Sequence, residues 1–382
     1  MLLLGIWPVK NGNFKQILYE TYFWTTFVYY MIFNVSGLAL AILTWSDNYL
    51  TTASSMGIVI EYVSNAYKVL IFKSKTFKTL IYELKEKERQ IFESKNPEFV
   101  EIYTKNSAHN KKIVLFYTIM GTTGISLYFI APLISNVFIP LGYHNETGTK
   151  IHYFIVFSWF PFDPDMYYWA AYLLQFTGCL FGYSYIVHCG GFYISMLSFV
   201  TAQLKIMQNV LRKFSVFADN FRRQYEISQE QAGCLLIKKL VEEHLQIIHF
   251  VKRINDSIRL FTLINFVISS FQLSLVAYQV FKFPPLQRVA VFSYFITLST
   301  QLFLTYNAAH TISAESEQIA ASIFEGNWNG YHPTVIKSLQ MICIRAQKPI
   351  VMTIGPIADV KVTSLFQIFK ALYSYICIIM RV

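Results

Sequence analysis

KSKTFKTLIYELKEKERQIFESKNPEFVEIYTKNSAHNKK, residues 73–112, runs directly into IVLFYTIMGTTGISLYFIAPLISNVFIPLGYHN, residues 113–145. The first stretch carries ten Lys and Arg. The second carries no charge over a length that exceeds the roughly 20 residues of a bilayer-spanning helix. The same alternation repeats outward along the chain. Asp, Glu, Lys and Arg are absent from 21–46, 166–204, 260–281 and 289–314 as well. Two less pure segments, 53–72 with Glu61 and Lys68 and 362–380 with Lys370, are still dominated by Ile, Val, Leu, Tyr and Phe. Lipid-facing backbone must satisfy its own hydrogen bonds, and these runs lack the two-residue alternation of a barrel, so the fold class is an all-α membrane protein. Composition agrees: 54% of residues are apolar and 14% charged, against about 25% charged in soluble domains.

The sides of the membrane follow from where the cations fall. Lys10 and Lys15 precede the first run, ten basic residues fill 73–112, and nine fill 200–256. The alternate connections are nearly bare, with none in 46–54, Lys150 alone in 142–165, and only Lys282 and Arg288 between the fifth and sixth runs. Positive-inside counting therefore predicts seven transmembrane helices with a cytoplasmic N-terminus and an extracellular C-terminus. Their limits are about 24–46, 53–72, 113–141, 166–199, 258–281, 289–314 and 362–380, in a single membrane domain over 1–382. The net charge of +10 is then a matter of topology and anionic membrane lipid rather than of nucleic acid. Of three Asn-x-Ser/Thr matches, Asn34 falls inside a span and Asn255 on the cytoplasmic side, which leaves Asn145 as the glycosylation candidate. The N-terminal MLLLGIWPVKNGNF has no basic residue before its apolar start and no clear cleavage site, and reads as a retained amphipathic segment.

The charged segments 73–112, 200–257 and 315–348 are too short to bury cores of their own, yet their apolar residues recur at helical spacing. They predict a cytoplasmic helical anchor in which the third to sixth spans continue beyond the membrane and pack together; separate surface helices are the alternative. Gly326, Asn327, Asn329, Gly330 and Pro333, then Pro349, Gly355 and Pro356, break the chain twice. The last hydrophobic element is thus split into a cytoplasmic helix near 334–347 and a final membrane helix.

No catalytic constellation and no metal-ligand spacing occurs, and none of the five cysteines lies in an outer connection. An enzyme is not expected, nor a cofactor. Two other places carry chemistry. At 100° per residue, Thr363, Gln367, Ala371, Ser374, Ile378 and Arg381 share one line of the last helix, with Lys370 at its edge. Such a stripe needs either a wet pore wall or a seam against neighbouring helices of the same subunit. The second place is a cavity among spans two, three, four and six. Gly121, Gly124 and Tyr128 leave room beside an aromatic; Tyr172, Gln175, Phe176 and Cys179 recur at i, i+3, i+4 and i+7; Tyr294, Thr297 and Gln301 face them. That lining suits a small apolar ligand, although ordinary helix packing uses the same residue types. Glu61, the one acid inside a predicted span, must face protein or water, and either lines this cavity or pairs with a polar group such as Tyr128.

The late sequence resembles that of the insect odorant receptors. FEGNWNGYHPTVIKSLQMICIRAQKPIVMTIGP, residues 324–356, is similar to the family's Trp, Pro and Arg-x-Gln-Lys-Pro pattern through Trp328, Pro333, Arg345, Gln347, Lys348 and Pro349. SLFQIFKALYSYICIIM, residues 364–380, resembles its closing signature through Ser364, Phe366, Lys370, Tyr373, Ser374 and Tyr375. Asn329 after the Trp, and Thr-Ile-Gly at 353–355, depart from the common form. The resemblance implies an odorant-gated, non-selective cation channel of four subunits in the plasma membrane of sensory neurons, in which a receptor tuned to a small volatile organic ligand assembles with a shared co-receptor. It implies a tuning subunit, because the co-receptor has a much longer insertion before its fifth span. It also implies that Gln367, Lys370, Ser374, Ile378, Arg381 and Val382 line the path of permeating cations, with Ile378 at the gate and Arg381 and Val382 at the outer mouth, and that odorant binds among spans two, three, four and six. A G-protein-coupled receptor would instead carry Asp-Arg-Tyr and Asn-Pro-x-x-Tyr motifs, and a secondary transporter would show paired broken helices; neither pattern occurs.

Overall fold

The computed structural model describes residues 4–7, 14–45, 49–139, 150–328 and 330–379, and these are almost wholly helical. Ten helices follow one another: α1 (Phe14–Leu43), α2 (Tyr49–Lys73), α3 (Lys75–Glu93), α4 (Pro97–Phe138), α5 (Tyr168–Arg212), α6 (Phe214–Tyr225), α7 (Gln229–Lys282), α8 (Pro285–Glu325), α9 (Pro333–Ala346) and α10 (Val362–Ile379). One short antiparallel hairpin, β1 (Thr353–Ile354) with β2 (Ala358–Asp359), interrupts them between α9 and α10.

Five helices, α1, α4, α5, α7 and α8, are long and apolar enough to cross a membrane. α2 carries Glu61 and Lys68 within its apolar run, and α10 is shorter. The lengths of α4, α5, α7 and α8 go far beyond a bilayer: the 54 residues of α7 extend for about 81 Å, against a hydrocarbon core of roughly 30 Å. The uncharged runs and the charged segments beside them are therefore parts of the same rods. Within the charged segment 73–112 the chain forms two helical pieces, α3 and the first part of α4, with a break at 94–96 between them. Ser74 caps α3 by accepting from Phe77 N–H, and Asn96 caps α4 by accepting from Glu98 N–H with Pro97 at the first helical position. α7 begins with a reciprocal capping box between Ser228 and Gln231.

α5 runs through the middle of the bundle, with Tyr185, Cys189, Met196, Leu197 and Leu204 fully buried, and packs on both α4 and α8. α2 and α10 lie against α7. At the charged end, α9 is closed onto α7 and α8 by Val335, Leu339 and Ile342. The Trp328 indole donates to Ile323 O at 2.7 Å, and the Arg345 guanidinium to Lys348 O at 2.7 Å, so two of the pattern residues serve as end-of-helix locks. Gly355 adopts a φ of +54° in the hairpin turn, where an added Cβ would meet the Leu263 side chain at 2.9 Å.

Candidate functional site

Between the apolar halves of α2, α4, α5 and α8 lies a cavity of about 70 Å³. Gly121, Gly124 and Tyr128 of α4 line it, as do Tyr294, Thr297 and Gln301 of α8, Cys179 of α5, and Ile58 and Tyr62 of α2. Gly121 makes the close approach possible, since a Cβ there would stand 3.0 Å from both the Tyr183 ring and the Val187 side chain. Across the cavity, the rings of Tyr128 and Tyr294 meet edge to face at 5.8 Å between centroids. Most polar groups of the wall are already engaged. Tyr117 donates to Gln301 Oε1 at 3.0 Å, and the Thr297 hydroxyl donates to Ser293 O at 2.9 Å. The Tyr294 hydroxyl is buried without a hydrogen-bond partner among the described residues, with the Gln272 amide as its polar neighbour. The result is an apolar, aromatic space with a few hydroxyl groups in its wall.

Seven of the eleven cavity candidates read from sequence meet here: Gly121, Gly124, Tyr128, Cys179, Tyr294, Thr297 and Gln301. Glu61, Tyr172, Gln175 and Phe176 do not line it. Tyr62 takes the cavity side of α2, so its neighbour Glu61, about 100° around the helix, is buried beside Gln272 of α7 instead. Glu61 and Lys68 form no ion pair among the described residues; the Lys68 ammonium instead lies over the rings of Phe261 and Tyr193, at 5.6 and 6.0 Å. Tyr172 and Phe176 sit elsewhere on α5, where the Phe176 ring packs tilted against Phe129 at 4.4 Å between centroids and the Tyr172 hydroxyl donates to Phe129 O at 2.7 Å. Val156, from the connection before α5, closes the cavity in a way no helical periodicity could signal.

α10 divides cleanly into two faces. Leu365, Ile368 and Leu372 are buried against the bundle, and the Ser274 hydroxyl of α7, which donates to Ser270 O at 2.6 Å, lies 3.5 Å from Leu372 O. Thr363, Gln367, Lys370, Ser374 and Ile378 all point away and are exposed in the single chain. The polar stripe is thus not a seam within this subunit. Arg381, Val382 and the glycosylation candidate Asn145 lie outside the described residues.

The chain is similar to known proteins. A family profile described as "7tm Odorant receptor" matches residues 48–373. Odorant receptor 10 of Aedes albopictus is 26% identical over 222 residues, covering 57% of this chain and 56% of that protein. Odorant receptor Or2 of Anopheles gambiae is 26% identical over 154 residues, covering 40% of this chain and 41% of its own. The chain therefore spans about half the length of the curated relatives it matches. Among solved structures, the olfactory receptor OR5 of Machilis hrabei in complex with eugenol superposes with a TM-score of 0.77 at 14% identity, over 99% of this chain and 95% of that one. A second structure of the same receptor gives 0.76. At such low identity the superposition speaks for the fold, and the profile match for the family. This chain is a multi-pass membrane protein that belongs to the odorant receptor family, a family of receptors and not of enzymes.

Proposed function

We propose that the chain is the ligand-tuning subunit of an odorant-gated, non-selective cation channel, with seven spans over 1–382, its N-terminus inside and its C-terminus outside. Four subunits, including a shared co-receptor, surround the pore in the plasma membrane of sensory neurons. A small volatile occupies the cavity between α2, α4, α5 and α8, and α10 contributes one wall of the pore through Gln367, Lys370, Ser374 and Ile378, continuing to Arg381 and Val382. The carrying observation is the exposed stripe of α10, whose opposite face is buried. A helix with Gln, Lys and Ser on an unpartnered face cannot leave that face in lipid without cost, and a water-filled conduit removes it.

Gating follows from the size of the cavity. At about 70 Å³ it is well below the roughly 300 Å³ at which ligand sites begin, so occupancy favours an arrangement in which α2, α4 and α8 stand further apart. A shift from 1:99 to 99:1 open needs about 5.5 kcal/mol of differential affinity, and micromolar binding totals about 8 kcal/mol. Most of the binding energy must therefore be realised only in the open arrangement.

Cysteine accessibility tests this reading. In a Cys377→Ser background co-expressed with the co-receptor, Ser374→Cys should be modified by a small cationic thiol reagent during odorant application, with a change in current. Leu372→Cys should not respond. Equal reactivity at the two positions, or none at Ser374→Cys, would remove α10 from the conduction path.

A further inference from the structure

A second and larger chamber, about 380 Å³, lies outside the cavity, beneath the segment that joins α4 to α5. It is lined by Phe154, Phe157 and Phe160 of that segment, by Phe283 and Gln287 at the start of α8, and by Pro132 of α4. Three residues, Ile58, Tyr128 and Val156, belong to the walls of both spaces. They form a partition between a chamber of ligand size and a cavity too small for one.

The roof over the chamber is held from below. Gln175 of α5 is 1% exposed and accepts from Ile155 N–H at 3.0 Å while donating to Val156 O at 2.7 Å and to the Ser158 hydroxyl at 2.8 Å. Asn136 accepts from Tyr153 N–H at 2.7 Å and donates to Tyr153 O at 3.0 Å. Asp165 accepts from His152 N–H at 2.6 Å, and Ser36 O of α1 from Trp159 N–H at 3.0 Å. Three anchors from α5, α4 and α1, together with the internal bond from His152 to Asp165, fix an irregular segment over eight positions, so the chamber exists before any ligand arrives. Its lining is largely apolar, aromatic and aliphatic, with the amides of Gln175, Gln279 and Gln287, and contains no Asp, Glu, Lys or Arg.

We propose that this chamber is a distinct binding site, which an uncharged, largely apolar volatile occupies first on its way from the outer face to the inner cavity. The proposal rests on the functional reading above, in which the inner cavity is the site that gates. Passage requires the side chains of Tyr128, Val156 and Ile58 to part. Val156 is placed by the Gln175 amide, which makes Gln175 the positioning residue of the partition.

The two sites are separable by kinetics. Gln287 lines the chamber and not the inner cavity. Gln287→Trp, and Gln287→Cys modified from outside with benzyl methanethiosulfonate, both fill the chamber. With the assembled channel under rapid odorant exchange, onset and washout of the current should each slow about tenfold, while the plateau at saturating odorant stays within twofold. The parent channel given the same reagent is the control. Thr297→Leu, in the inner cavity, should change potency at the plateau instead. Unchanged onset and washout in both filled variants overturn the chamber proposal, and the inner site stands if Thr297→Leu still shifts potency. If Thr297→Leu and the filled variants are all silent, both readings fall.

Discussion

Asn255 of α7 grips Thr353 of the hairpin from two sides: its Oδ1 accepts from the Thr353 N–H at 2.8 Å, and its Nδ2 donates to the Thr353 hydroxyl at 3.0 Å. Ser364 then donates to Asp359 O at 2.8 Å, and Ser316 of α8 accepts from Ile350 N–H at 2.8 Å. The strand that leads into α10 is thereby pinned to the charged end of α7, 98 positions away in sequence.

Replacing Asn255 by Ala strands the half-buried Thr353 N–H; a fully buried unsatisfied donor costs about 1–3 kcal/mol, and this one falls toward the lower end. Thermal unfolding of the detergent-solubilised Asn255→Ala channel should begin several degrees lower than for the parent. Asn255→Asp keeps the acceptor and should recover part of the difference. Equal midpoints for all three would mean that the hairpin is not held here.

Gly121→Ala puts a methyl group 3.0 Å from the Tyr183 ring and the Val187 side chain. Overpacking of this kind costs about 1–3 kcal/mol, and in an enlarged, ligand-filled cavity the same methyl displaces ligand. The concentration for half-maximal current should rise about tenfold or more, with surface expression retained. A response like that of the parent would argue that the ligand sits elsewhere.

His244 is 4% exposed on α7, and burial pushes its imidazole down to about 4, with the charge of Arg345 adding to the push. The sign follows from linkage. The unfolded chain takes up the proton near 6.5, the folded chain only near 4, so stability falls as pH drops through that window and is level above it. The full loss is at most about 3 kcal/mol, reached below pH 4. Unfolding midpoints measured from pH 7.5 to 4.5 should decline for the parent and decline less for His244→Gln.

Two ion pairs fasten α3 to α7: Lys87 with Glu243 at 2.7 Å, and Arg253 with Glu83. All four side chains are between a quarter and a half exposed, where such pairs contribute little. A double-mutant cycle on each should give a coupling under about 1 kcal/mol that shrinks further in high salt. A coupling several times larger would make α3 a structural clamp rather than a neighbour.

What could be read from the chain differs by element for physical reasons. The uncharged stretches 113–138 and 168–204 lie inside α4 and α5 because burial and lipid both exclude charge, but the helix ends could not be read from them. A rod that leaves the membrane keeps its backbone hydrogen bonds, and only caps such as Asn96 and Ser228 stop or start it. The spacing of Tyr172, Gln175, Phe176 and Cys179 correctly marks one face of α5, yet that face has three different neighbours. Tyr172 and Phe176 meet Phe129, Gln175 meets the roof segment, and Cys179 alone reaches the cavity. Period tells which side chains travel together, not what stands opposite them. Val156 sits in irregular chain, where no period exists at all.

α7 joins both ends of the molecule in one unbroken helix, and that has a mechanical consequence. From Asn255 to Gln279, which lines the chamber, the rise is about 36 Å. A rod fixed at Asn255 is a lever with its fulcrum at the hairpin: a sideways shift of about 2 Å at Gln279 is a tilt of only about 3° at the fulcrum. α10 rides on that arm through Leu372 and Ser274. The guest-facing end can therefore be reshaped residue by residue while the fulcrum and the load stay the same, which is the arrangement a repertoire of detectors sharing one output would require.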